Sequence, residues 1–256
     1  MKVVLLAGGF GTRISEETNI KPKPMVEIGG KPILWHIMKY YSSFGFNEFV
    51  ICAGYRAEYI KNYFANYFLL NSNYEVDLTN NELTILDPPS ETWKVTVIDT
   101  GLHTMTGGRI KCIKRFIGPH RFLLTYGDGV ADVDLEQLLD LHENEGNLCT
   151  LTSVKQPARF GTLKLSNQNK VEQFYEKPTN YADRISGGFF VCEPQVFDYI
   201  DNEKSVFETD VLPVLAQKSL LGSYQHDGFW QCMDSLRDKQ YLEDLILTEN
   251  DPWRIW

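Results

Sequence analysis

A chain of 256 residues can bury a large core, and 43% hydrophobic with 13% aromatic residues excludes a disordered protein. The net charge of -9, from 34 acidic against 25 basic residues, speaks against bulk nucleic-acid binding and against an anionic membrane surface. No apolar run approaches the length of a membrane span and the amino-terminal one is too short for a signal segment, so a cytoplasmic protein is expected.

The first element is the apolar run 3–7, as a strand buried on both faces requires. It feeds Gly8-Gly9-Phe10-Gly11, then Thr12 and Arg13, and two lysines, Lys21 and Lys23, follow between prolines. Pro32 opens a helix with Ile33, Leu34, Ile37, Met38 and Tyr41 at helical spacing. Residues 49–53 form the next strand and 56–68 a helix. The stripe of Ile60, Tyr63, Phe64, Tyr67 and Phe68 on that helix reads as core packing, with any exposed aromatics near 63–68 available to a homo-oligomer interface. Asn80-Asn81 marks a hairpin, 94–99 a strand, 106–117 a helix, and 122–126 a strand ending in Gly127-Asp128-Gly129. Asp134 with Gln137 reads as a capping box. Strands at 148–155, 162–166, 170–176 and 187–192 make the second half richer in β structure, and a helix near 235–247 closes the chain. The five cysteines show no C-x-x-C, and Cys52, Cys112, Cys149 and Cys192 lie in strand-like contexts, so buried reduced thiols are expected.

Repeated strand–helix–strand units imply an α/β fold with a largely parallel sheet flanked by helices. Ligands in such sheets bind beyond the carboxyl ends of the strands, where residues 8–13 and Gly127-Asp128 both fall. Glycines after a strand let backbone N–H groups crowd a polyanion, and arginine and lysine nearby neutralise phosphate oxygens. The turn is not a P-loop, because no lysine follows Gly11 at the required offset. It is not a dinucleotide fingerprint either, because position 14 is Ile. It reads as a nucleoside triphosphate cradle. Asp128 either reaches into a cavity or forms an Asx turn, and Asp234 either holds a cation or caps the following helix. Arg109 is a ligand contact or a surface arginine, and Lys21 faces the site or the solvent.

LAGGFGTR followed by KPKPMVEIGGKPILWHIM resembles the signature of the sugar-1-phosphate nucleotidyltransferases. The likeness continues through DTG (99–101), TGGR (106–109), YGDGVAD (126–132), RFG (159–161), FYEKP (174–178), GGFFV (187–191) and GFWQCMDSLRDK (228–239), essentially the whole chain. The SEET insertion, EIGGKPILWHI and MDSLRDK are similar to the cytidylyl-transferring members. The resemblance implies a Rossmann-like domain over 1–256 with a β-rich sugar-binding extension. Its nucleotide-binding half would cover about 1–130 and its sugar-phosphate half about 131–256. It implies transfer of a cytidylyl group from CTP to glucose 1-phosphate with Mg²⁺, supplying nucleotide sugar for surface polysaccharide. The same transfer from dTTP or UTP, or a non-catalytic nucleotide-sugar-binding subunit, stay open. By resemblance, Arg13 would hold the β- and γ-phosphates and the departing pyrophosphate, and Lys23 the α-phosphate. The backbone of Leu6, Ala7, Gly8, Gly9, Phe10, Gly11 and Thr12 would wrap the nucleotide, with Thr104, Gly108, Arg109 and Asp128 contacting it. Gly161, Glu176, Lys177, Gly187 and Gly188 would bind the sugar phosphate, and Asp128 and Asp234 the Mg²⁺. Ser186 stands where the family pattern has Asn.

Overall fold

Residues 3–7 are buried on both faces because their strand, β1 (Lys2–Ala7), runs through the middle of an eight-stranded sheet. The computed structural model describes residues 1–18, 20–155, 162–165, 170–175 and 184–256; for 13, 15, 16, 162–165, 174 and 175 this covers the course of the chain only. The other strands of the sheet are β2 (Glu48–Ala53), β3 (Lys94–Asp99), β4 (Phe122–Tyr126), β5 (Cys149–Lys155), β6 (Arg184–Ser186), β7 (Phe190–Cys192) and β8 (Leu221–His226). They lie in the order β3-β2-β1-β4-β7-β5-β8, and β6 pairs with the far end of β5. β1 to β4 pair in parallel and β7 runs antiparallel to both β4 and β5, so the expected parallel core holds in the first half and turns mixed in the second.

The period-2 alternation of β1 divides the core. Val3, Leu5 and Ala7 pack on one face against α1 (Ile33–Ser43), whose Ile33, Leu34, Ile37, Met38 and Tyr41 are buried. Val4 and Leu6 face the other cluster with Ile110 and Ile113, on and just after α2 (Thr106–Cys112). α3 (Leu135–Glu145) starts where expected: the Asp134 carboxylate accepts from the backbone of Glu136 and Gln137. The box is not reciprocal, since the Gln137 amide returns to that carboxylate at 2.7 Å. α4 (Leu236–Leu247) closes the chain. Among the described residues no helix is long and apolar enough to cross a membrane.

Several expectations need correction: the helix over 106–117 breaks at Ile113 into Thr106–Cys112 and Lys114–Ile117, and the strand over 187–192 is confined to Phe190–Cys192. The helix over 56–68 is broken at Asn66 into Ala57–Ala65 and Tyr67–Leu70, and while Ile60 is buried, Phe68 is 49% exposed. Its neighbour β3 is the edge of the sheet, so the stripe outruns the surface that could cover it. Cys112 is exposed, because it lies on α2 rather than a strand and Ile110 and Ile113 take the buried face. All five cysteines are free, and burial pushes the Cys52 thiol up to about 12. The hairpin at Asn80-Asn81 forms from Asn73–Asp77 and Glu82–Asp87, with Asn81 at φ 56°.

One short pairing positions the site. Gly129–Ala131 runs antiparallel to Trp230–Cys232, and the Met233 amide donates to the Asp128 carbonyl at 2.8 Å. Asp128 and Asp234, far apart in sequence, are thereby brought side by side.

Candidate active site

Beyond the carboxyl ends of β1, β3 and β4 opens a cleft of about 520 Å³. Leu6, Ala7, Gly8, Gly9, Phe10, Gly11, Thr12, Lys23, Thr104, Arg109 and Asp128 all line it, which is where the sequence places the nucleotide. Gly11 needs its left-handed φ of 64°, and a Cβ there would stand 2.8 Å from Thr18 Cγ2. Phe10 forms part of the rim, its ring 5.4 Å from Tyr55 and 6.0 Å from His103.

Gly8 owes its identity to Arg109. A Cβ on Gly8 would meet Arg109 Nη1 at 2.2 Å, and one on Gly54 at 2.3 Å. Arg109 is only 5% exposed, so it is not the surface arginine that its sequence context allowed. Its guanidinium donates to the carbonyls of Gly8 (2.9 Å), Ala53 (3.2 Å) and Gly101 (2.8 Å) and to the Thr100 hydroxyl (2.6 Å). Burial lowers its pKa from the ordinary value. These bonds tie together the chain leaving three strands and hold the glycine turn open under the cleft.

Lys23 begins a short 3-10 turn after Pro22 and is 8% exposed. Its ammonium donates to Asp128 Oδ2 and Asp234 Oδ1, each at 2.6 Å. Burial opposes the charge, but the two carboxylates outweigh it and raise the lysine pKa. Lys21 turns the other way and pairs with Glu27 at 3.3 Å. The helix after Asp234 is capped by Ser235, whose hydroxyl accepts from the Asp238 amide, so Asp234 is not the cap. Nor is Asp128 tied up in a local turn, since its carboxylate reaches across to Lys23.

Two carboxylates converging on one ammonium make a point at which hard oxygen donors meet, which fits Mg²⁺. Among the described residues no group of three or more His, Cys, Asp and Glu converges. A cation held by Asp128 and Asp234 would therefore take its remaining ligands from phosphate oxygens and water.

The remaining expected residues are distributed differently. Gly108 is outside the cleft lining; a Cβ there would be 2.3 Å from the Glu203 carbonyl, so its smallness serves helix packing. Gly187 packs on Val154 and its carbonyl accepts from Trp230 Nε1 at 2.8 Å. Gly188, at φ 79°, lies against the Tyr126 ring. Gly161, Glu176, Lys177 and the side chain of Arg13 lie outside the described residues. Tyr126, Pro24, Leu102, His103, Met105 and Thr106 also line the cleft without having been expected. Tyr126 was within reach, standing two residues before Asp128 at a strand end.

Residues 2–238 match the family model described as Nucleotidyl transferase. The chain belongs to the nucleotidyl transferase family. Over 257 residues, with both chains covered completely, it is 50% identical to the glucose-1-phosphate cytidylyltransferase of Salmonella typhimurium. It is 42% identical, again at full coverage of both, to a probable glucose-1-phosphate cytidylyltransferase of Bacillus subtilis. HddC from Yersinia pseudotuberculosis shares the fold at a TM-score of 0.69 and 23% identity, covering 96% of this chain and 99% of its own. A UDP-glucose pyrophosphorylase complexed with UDP-glucose does so at 0.69 and 18%, covering 97% and 98%. The glycine-rich turn, Lys23 and Asp128 line the cleft, and Asp234, outside the lining, pairs with the same Lys23 ammonium.

Proposed function

We propose that this nucleotidyl transferase moves the cytidylyl group of CTP onto glucose 1-phosphate, giving CDP-glucose and pyrophosphate. The observation that carries the reading is the 50% identity to the Salmonella enzyme over the whole length of both chains. A phosphate oxygen of glucose 1-phosphate attacks the α-phosphorus of CTP. The bond from that phosphorus to the bridging oxygen breaks, and its electrons leave with pyrophosphate. Such transfers ask the protein for in-line placement and charge neutralisation rather than for a nucleophile.

The backbone of residues 6–12 receives the nucleotide, with Thr104 also lining the cleft. Lys23 supplies positive charge to the reacting phosphate, and Arg13 serves the leaving pyrophosphate. Asp128 and Asp234 would hold Mg²⁺, which would supply positive charge to screen the phosphates. By the family resemblance Gly161, Glu176, Lys177, Gly187 and Gly188 would bind the sugar phosphate, with the nucleotide half at about 1–130 and the sugar-phosphate half at about 131–256 of one domain.

The test is pyrophosphate release from CTP, UTP, dTTP, ATP and GTP with glucose 1-phosphate, with and without Mg²⁺. CTP should be favoured by at least about tenfold in kcat/KM, about 1.4 kcal/mol, and release should need the metal. Equal or better use of dTTP or UTP reassigns the base, and no release from any nucleotide points to the non-catalytic alternative.

A further inference from the structure

Behind the cleft, outside its lining, lies a carboxylate for which the reaction has no direct use. Glu208 sits in a π-turn, Phe207–Val211, a form that recurs near functional sites. Its Oε1 accepts from the Tyr126 hydroxyl at 2.7 Å and its Oε2 from the Thr106 hydroxyl at 2.6 Å. The Thr106 oxygen in turn accepts from the Phe207 amide at 2.9 Å, which closes the relay. Both donors line the cleft and come from different elements: Tyr126 at the end of β4 and Thr106 at the start of α2. Among the described residues no cation pairs with Glu208. A half-buried carboxylate held by two hydroxyls is a costly way to pack a loop, since an apolar side chain would fill the volume without desolvating a charge.

We infer that Glu208 is a positioning residue of the cleft, fixing the Tyr126 ring and the 102–106 wall at the spacing that the bound nucleotide requires. The ring is held from the other sides too, edge-on to Phe190 at 5.9 Å and beside Gly188, where even a Cβ would approach to 3.1 Å. Only the hydroxyl end is left for a polar anchor, and Glu208 provides it. Thr106 follows Leu102, His103, Thr104 and Met105 in the lining, so one carboxylate anchors both this segment and the Tyr126 ring. The inference rests on the reading of this cleft as the nucleotide site.

Glu208→Gln keeps the volume and removes the second acceptor. It should raise KM for CTP, and the CTP Kd measured by calorimetry, by at least about fivefold while kcat changes less than about twofold, the signature of lost uniform binding. Tyr126→Phe deletes only the hydroxyl and should give part of the same effect. The double variant should be no worse than Glu208→Gln alone, because the two groups act as one unit. A structural role alone would lower the melting temperature and leave KM and Kd unchanged. A folded Glu208→Gln protein with CTP affinity within about twofold of the parent, or full additivity in the double variant, overturns the inference. Should Glu208→Gln fail to fold, Tyr126→Phe decides it by the same split between KM and kcat. Failure of the parent protein to bind CTP at all instead overturns the nucleotide-site reading.

Discussion

Lys21 and Lys23 carry the same charge two positions apart, and their surroundings separate them. Pro22 between them is extended (φ -67°, ψ 149°) and the 3-10 turn starts only at Lys23, so the two side chains leave the chain in different directions. Lys21 meets Glu27 at the surface, whereas Lys23 is buried between Asp128 and Asp234. Lys23→Ala should lower kcat by about two to three orders of magnitude, the usual loss for one preorganised donor, while Lys21→Ala should stay within a few-fold of the parent. Steady-state kinetics on both variants decides the placement, and a crippling Lys21→Ala with a mild Lys23→Ala would invert it. Asp234 and Ser235 allow a second contrast between adjacent residues. Ser235→Ala removes the cap and should cost about 1 kcal/mol of stability without altering the Mg²⁺ requirement. Asp234→Asn should raise the Mg²⁺ concentration needed for activity. Identical metal dependence in the Asp234→Asn enzyme and its parent would remove that residue from the metal site.

At the scale of elements, α1 is locked to both ends of the chain through His36. The ring is buried, with Nε2 2.9 Å from the Ile28 carbonyl, and Nδ1 receives Trp253 Nε1–H at 3.5 Å. Nε2 therefore carries the proton and the ring is neutral; burial lowers its pKa to about 4. Unfolding returns it to the ordinary 6.5, so between these values the unfolded chain binds a proton that the fold does not. The stability tied to a neutral His36 is fully present above pH 6.5 and is lost as the pH falls towards 4. Between pH 7 and pH 5 the loss is about 2 kcal/mol. Urea unfolding across that range should show the slope, and His36→Gln should flatten it; an unchanged slope in the variant assigns the effect elsewhere. The periodicity of α1 was plain in the sequence, as were β1, β4 and the cap at Asp134, because each is specified within a few neighbouring residues. The role of Arg109 was not, since its burial depends on Gly8 and Gly54, just past the ends of two strands, lacking side chains. The broken helix at Asn66 was missed for a similar reason: its aromatic stripe follows a helical period, but the sheet that would cover it ends at β3.

Across the whole molecule, the site depends on contacts that no local pattern encodes. The motifs pointed to Lys23, Asp128 and Asp234 separately; that one ammonium joins both carboxylates follows from the pairing of Gly129–Ala131 with Trp230–Cys232. Glu208 left no trace in any motif, because its two partners come from elsewhere in the chain. On the proposed reading, in which Asp128 and Asp234 would hold Mg²⁺, their pairing with Lys23 would also couple the ligands. Mg²⁺ alone must compete with the Lys23 ammonium for the two carboxylates, and CTP alone brings a triphosphate towards them without a counter-ion. Together, the metal can take the carboxylates while Lys23 turns to phosphate, so each ligand relieves the obstacle to the other. Reciprocal coupling of this kind is typically about 1–3 kcal/mol. A ligand at about 100 times its Kd adds about 2.7 kcal/mol to folding stability, so the coupling is readable in thermal unfolding. The rise in melting temperature with Mg²⁺ and CTP together should exceed the sum of the rises with each alone, after correction for Mg²⁺–CTP complexation in solution. In Lys23→Met, where no ammonium competes, Mg²⁺ alone should bind more tightly than in the parent. Additive shifts in the parent, together with unchanged Mg²⁺ affinity in Lys23→Met, would show that the lysine and the metal do not share the carboxylates.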